Sequence, residues 1–124
     1  YDIYADGGTI VVKNGDLSIA IIIPDDIEIN SEYILNGIKN ILSKYFEHVE
    51  VNNNDIMIDN KKCIGSASIN KNGMMAFVAS CSFSDKTELI RNICTAPSSK
   101  IAGYIDSSLL SRDRLKEELS LWLL

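Results

Sequence analysis

Apolar positions along the chain alternate between two periods, and each change of period predicts an element. Thr9 to Val12 is β-branched, and a Gly15-Asp16 turn leads into Leu17 to Ile23, which is apolar on both faces apart from Ser18. Such a run reads as a buried strand in the centre of a sheet. Asn30 or Ser31 can then cap a helix in which Ile34, Ile38, Ile41, Leu42, Tyr45 and Phe46 recur at the i, i+3, i+4, i+7 spacing of one buried stripe. From His48 the period falls to two, through Val49, Val51, Ile56 and Ile58, and a turn at Asp59-Asn60 opens a longer strand from Lys62 to Ile69. Strict alternation places Cys63, Gly65, Ala67 and Ile69 on one face of that strand and Lys62, Ile64, Ser66 and Ser68 on the other. Asn70-Lys71-Asn72-Gly73 has hairpin-turn chemistry and leads into Met75, Phe77, Ala79, Cys81 and Phe83, a second alternating core face.

The remaining pattern is helical. Ser84 caps a short helix through Leu89, Ile90 and Ile93, which the polar stretch from Thr95 to Lys100, with Pro97, ends. Ser111 caps a last helix with Leu115, Leu119 and Trp122 inward and Arg112, Asp113, Arg114, Lys116 and Glu117 outward. The sum is an α+β domain: a mixed, mostly antiparallel sheet of Thr9 to Val12, Leu17 to Ile23, Ile56 to Ile58, Lys62 to Ile69 and Met74 to Phe83, with helices packed on it. No repeat, low-complexity tract or linker divides the chain, so residues 1–124 are expected to form one domain.

Composition narrows the function classes. With 46% hydrophobic and 23% charged residues the chain is globular. The run from Leu17 stops at Pro24, short of the ~20 residues that cross a bilayer, so no membrane partner is expected. A net charge of −5 argues against nucleic acid, whose phosphates need clustered Lys and Arg. Cys63, Cys81 and Cys94 are odd in number and not spaced as a metal site, which fits a reduced, cytoplasmic setting and no bound metal. Cys63 and Cys81 fall on core faces and are expected to be inert. His48, the single histidine, sits where a helix exits into a strand and is not expected to be a ligand. The chain opens at Tyr1 without Met or the regions of a signal peptide, and an upstream portion is expected to have been removed or to be carried elsewhere.

Three short elements can carry chemistry: Asp6-Gly7-Gly8-Thr9, Asn54-Asp55-Ile56, and Lys62-Cys63-Ile64-Gly65-Ser66-Ala67. A Gly-Gly pair lets backbone approach an anionic ligand, although singly it is more often a turn. A lysine on a strand matters chemically where it faces a closed site. Read in order, with Gly15-Asp16-Leu17 between the first two, these elements make the chain resemble the lipoate-protein ligase and octanoyltransferase branch of the biotin/lipoate protein ligase family. The resemblance runs nearly end to end but lacks the N-terminal strand and helix, so it implies a biotin/lipoate ligase-like fold incomplete at its N-terminus.

That resemblance also implies a function, the attachment of lipoate or octanoate to lipoyl carrier proteins. Lys62 is implied as the catalytic contact to the reacting acyl carbonyl. Gly7, Gly8, Thr9, Asn54, Asp55, Gly65, Ser66, Ala67 and Ser80 are implied as substrate-binding. In the ligases ATP, with Mg, and the free acid give an acyl-adenylate. In the octanoyltransferases a cysteine takes the acyl group first and no cofactor is needed; Cys94 stands roughly at that nucleophile's place, but fits better as a small apolar residue closing the short helix. The implied partners are a lipoyl carrier domain or acyl carrier protein, and a second subunit supplying the missing N-terminal elements.

The departures from the pattern are specific. The family's arginine pair falls on Asp2 and Ile3, its first glycine on Asp6, its histidine after the loop on Val12, and its His-His-Gly run on Phe77-Val78-Ala79. Asp2 and Asp6 put negative charge where phosphate would approach, with Lys13 the one nearby cation in the sequence. The sequence therefore favours a pre-activated acyl thioester over ATP. It leaves open a noncatalytic homologue that serves as a binding or partner subunit.

Overall fold

The structure, a computed structural model, describes residues 2–5, 8–11, 15–24, 27–85 and 101–123. The short helix expected through Leu89 to Ile93, and Cys94 after it, lie outside those residues. A first hairpin pairs β1 (Asp2–Ala5) with β2 (Gly8–Val11) as a sheet of its own. The main sheet contains β3 (Leu17–Pro24), β4 (Val49–Asn52), β5 (Asp55–Ile58), β6 (Lys61–Lys71), β7 (Met74–Cys81) and β8 (Ile101–Ala102). Its strand order is β3-β7-β6-β5-β4, every neighbour antiparallel, while β8 runs parallel to the start of β6. The sheet is thus mixed and mostly antiparallel, and the fold is α+β.

Turn chemistry fixes the register of the central strands. Ile58 pairs with Lys61 and Lys71 with Met74, leaving the two-residue loops Asp59-Asn60 and Asn72-Gly73. All four loop residues have positive φ, at 52°, 63°, 55° and 74°. This is the turn whose twist matches paired strands, and Asn, Asp and Gly are the residues that enter it cheaply.

Helix α1 (Ser31–Leu42) begins where the side chain of Asn30 accepts a hydrogen bond from the Tyr33 N–H at 2.9 Å. Its stripe of Ile34, Leu35, Ile38, Ile41 and Leu42 is buried, in one core with Ile56, Ile64, Phe77 and Cys81 from the sheet. Helix α2 (Arg112–Leu123) is capped by Ser111, whose hydroxyl accepts from the Arg114 N–H at 3.1 Å, and buries Leu115 and Leu119 in the same core. Trp122 stacks on Tyr33 with ring centroids 6.1 Å apart, and its indole fills the space a side chain at position 37 would need. Gly37 is therefore the contact point of the two helices. Near the other end of α1 the Tyr45 hydroxyl donates to the Glu118 carboxylate at 3.0 Å. That bond, with Lys44 beside it, holds the partly buried carboxyl below the usual range, so this tie persists at neutral pH and is lost as pH falls through the lowered value.

Two expectations are corrected. The strand expected from Thr9 belongs to the separate β1-β2 hairpin and not to the main sheet, because its backbone pairs with β1. β3 is an edge strand, not a central one: among the described residues only β7 pairs with it. Ile19, Ile21 and Ile23 pack against the core, but Ile22 is 69% exposed, with Ser18 and Ala20 on the same outward side. Apolarity on both faces reports that side chains want cover, whereas centrality is a matter of backbone pairing, and one does not determine the other.

Cys63 and Cys81 are both buried in the core. Burial pushes the Cys63 thiol up from 9.0 to about 11. Two outcomes are expected. Iodoacetamide at pH 8 should leave Cys63 unmodified in the folded protein and label it only as urea unfolds the chain. The stability that this thiol contributes should be intact below pH 9 and lost as pH rises toward 11, because the unfolded thiol ionises first. Alkylation of native protein at the unfolded rate would show that Cys63 is not in the core.

Candidate functional site on the far face of the sheet

The site is made by a break in alternation. β5 and β6 pair Ile56 with Ile64 and then Met57 with Lys62, so Cys63 is an extra residue on β6, a β-bulge. Cys63 and Ile64 both turn into the helix-side core. Lys62 consequently emerges on the other, far face, the face of its pairing partner Met57, which is buried outside the core. Beyond the bulge β6 and β7 pair Ser66 with Ala79 and Ser68 with Phe77, which puts both serines on the helix side, while Gly65 and Ala67 share the far face with Lys62. The expected grouping of Lys62 with Ser66 and Ser68 is therefore corrected. The bulge moves Lys62 across the sheet.

On that face Lys62 folds back over Gly65. A Cβ at Gly65 would lie 3.0 Å from Lys62 Cε, 3.2 Å from its Nζ and 3.8 Å from Asp55 Oδ1. The ammonium is 3.5 Å from the Asp55 carboxylate, with the lysine side chain 35% and the aspartate side chain 13% exposed. Asp55 pairs directly with Gly65 across the strands, and Gly65 pairs on its other side with Ser80. Ser80 is 4% exposed, and its hydroxyl has no hydrogen-bond partner among the described residues. A buried hydroxyl left unpaired costs about 1–3 kcal/mol, so a hydrogen-bond partner at this point is favourable. Asp55, Gly65 and Ser80 thus form one row across three strands, with the Lys62 amine above its centre.

The other residues singled out by sequence take different places. Asn54 and Ser66 are joined on the helix side, where the Ser66 N–H and hydroxyl both donate to the Asn54 carbonyl. Asn54 and Asp55 also border a cleft of about 960 Å³ with Ser31, Glu32, Lys39 and Glu50, which opens beside α1 rather than at Lys62. Ala67 is buried on the far face. β2, which carries Gly8 and Thr9, runs against β6 and β7. Gly7, like Cys94, lies outside the described residues. The Lys62–Asp55 pair could not be found by periodicity, because a bulge leaves no mark in an alternating pattern except the odd spacing from Lys62 to Gly65.

Among the described residues the fit to ATP with Mg is poor. Among the described residues no group of three His, Cys, Asp or Glu side chains could hold a metal ion. The cation at the site is already paired with Asp55, and the sequence ahead of β2 adds Asp2 and Asp6. Unpaired phosphate charge in a covered site is costly, so no step is derived through ATP. No helix of the described residues is long and apolar enough to cross a membrane.

No family model matches the sequence, and no curated protein matches it. Solved structures do. LipL1 of P. falciparum in complex with lipoate superposes with a TM-score of 0.74 at 18% identity, over 97% of this chain and 37% of that one. A bi-partite lipoate protein ligase of Thermoplasma acidophilum, determined with its E2 lipoyl domain, gives 0.75 at 18% identity, over 95% of this chain and 53% of that one. Lipoate-protein ligase A bound with ATP gives 0.67 at 20% identity, over 94% and 53%. The chain spans about half or less of the length of these structures. With its mostly antiparallel sheet, the two helices among the described residues and this superposition along nearly its whole length, the chain has the fold of the lipoate-protein ligases in a divergent form.

Proposed function

We propose that this chain transfers a lipoyl or octanoyl group from an activated thioester to the acceptor lysine of a lipoyl carrier domain, with Lys62 at the acyl carbonyl. The observation that carries the reading is the Lys62 ammonium held above Gly65 on the far face of the sheet. In the transfer, the neutral amine of the acceptor lysine attacks the thioester carbon, and the carbonyl oxygen takes up negative charge beside Lys62. The C–N bond forms, the C–S bond breaks as the intermediate collapses, and the proton leaving the amine goes to the departing sulfur, giving amide and thiol. A fixed cation at that oxygen stabilises the charge where it develops. The Ser80 hydroxyl, which has no partner among the described residues and stands one strand away from Gly65, supplies a further donor to the acyl group. Lipoate in the LipL1 structure and the lipoyl domain in the Thermoplasma one support the substrate class.

A second polypeptide as partner is part of this reading, as the bi-partite ligase suggests. A noncatalytic role as the partner subunit is the alternative, favoured by the acidic Asp2 and Asp6 and by the counter-ion already on Lys62. One experiment separates them. The chain is incubated with a lipoyl carrier domain and octanoyl-acyl carrier protein, and in parallel with octanoate or lipoate and ATP, and every species is weighed by mass spectrometry. Acylated carrier from the thioester alone is the expected result. A labile adduct on this chain would select a cysteine route through Cys94, product only with ATP would overturn the thioester assignment, and no product under any condition would leave the noncatalytic reading.

A further inference from the structure

We infer that Asp55 is a positioning residue: its carboxylate holds the Lys62 ammonium above Gly65, so that the pair, and not the lysine alone, is the working unit of the site. The inference rests on the proposed acyl transfer for its catalytic meaning, but the clamp itself stands on geometry. A lysine side chain is a flexible stem with many rotamers, so an ammonium stays at one point only if something holds it there. Here three features converge. The bulge at Cys63 brings Lys62 onto the far face. The missing side chain at Gly65 leaves room for the lysine to lie back across the strand, since a Cβ there would crowd both Cε and Nζ. Asp55, pinned opposite Gly65 by strand pairing, presents its carboxylate 3.5 Å from the ammonium.

Partial exposure limits what this pair adds to stability, because solvent screens ion pairs of this kind. Orientation is the larger effect. A displacement of about 1 Å at a reacting centre can cost 10²-fold in rate, far more than the pair contributes to folding. Asp55 does not touch the acyl group in this arrangement. It acts through Lys62, and the tests follow from that dependence.

Transfer from octanoyl-acyl carrier protein is measured for wild type, Asp55→Ala, Lys62→Met and the double variant, with the second subunit present if the reaction requires it. Asp55→Ala should lower kcat by up to about 10²-fold and leave KM for the donor little changed. In the Lys62→Met background the same change should cost less than about twofold, the scatter of independent sites. An equal loss in both backgrounds would overturn the inference, because Asp55 would then act on its own. Gly65→Ala approaches the clamp from the other side: its methyl should displace the end of Lys62, lower kcat in the same way and keep the melting temperature within a few degrees. A Gly65→Ala protein of full activity would also overturn it.

A readout without turnover keeps failure of the clamp distinct from failure of the proposed function. The wild-type and Asp55→Ala proteins are treated with a limiting amount of an amine-acylating reagent, and labelling at Lys62 is compared with the exposed Lys61 and Lys71. Release from the carboxylate should raise Lys62 labelling severalfold while the other two are unchanged. If that rise is seen but no variant transfers an acyl group, the clamp stands and the acyl-transfer reading falls. If labelling of Lys62 does not respond to Asp55→Ala, the clamp is wrong whatever the activity.

Discussion

Lys62→Met is expected to lower acyl transfer to the lipoyl carrier domain by about 10²- to 10³-fold, the range seen when one preorganised donor to a developing oxyanion is removed. Methionine keeps the length of the apolar stem, so packing over Gly65 survives and the charge alone is lost. The loss should appear in kcat, because the charge that Lys62 meets is larger in the transition state than in the bound thioester. Lys62→Arg should not restore activity. The guanidinium is a planar fork where the site holds a compact ammonium, and its extra breadth meets Asp55 and Gly65 at once. Full transfer by the Lys62→Met protein would remove Lys62 from the chemistry and with it the main support for an enzymatic role.

The largest effect on stability is expected at Phe77. Its ring is fully buried on the helix side of β7, between Ile21 of β3 and Ser68 of β6 in the pairing. Both neighbouring strands are held by continuous ladders and cannot close over a void. Phe77→Ala should therefore cost about 3–5 kcal/mol, the transfer loss plus the cavity. A domain of ordinary stability has about 5–15 kcal/mol in total, so the variant should lose a large share of that margin and unfold at a clearly lower urea concentration. Urea denaturation followed by tryptophan fluorescence gives the test, since Trp122 reports the α1–α2 contact. A midpoint within error of wild type would contradict the placement of Phe77. Ile22→Thr is the matched control, because Ile22 is exposed on the outer side of the edge strand and should change stability by less than about 0.5 kcal/mol.

What the sequence revealed of the fold depended on where local physics and tertiary structure agree. The α1 stripe, the Asp59-Asn60 and Asn72-Gly73 turns, the Ser111 cap and the alternating face of β7 each have a cause within a few residues, and each is present. β3 was misplaced because its neighbours are chosen by the whole sheet. β8 was not foreseen, since two residues beside the start of β6 make no pattern of their own. Of the site, Lys62 and Gly65 were legible through their spacing, but their grouping was not: the alternation argument sent them to opposite faces and the bulge returned them to one. Ser66, grouped with Lys62 by parity, instead serves the Asn54 turn. The role of Asp55 required the register, because nothing in Asn54-Asp55 says what stands opposite.

The bulge also bears on how distant relatives of this chain should be aligned. Cys63 has no partner on β5, so a chain without it would keep every other pair of that ladder, Met57 with Lys62 and Ile56 with Ile64 included. A relative with its lysine two residues before the glycine can therefore hold the amine at the same spot as one with a separation of three. A gap at Cys63 is neutral for the register and shifts only the local twist, whereas a gap between Gly65 and the Asn72-Gly73 turn would exchange the two faces of β6 against β7 and bury Ile69 in place of Ser68.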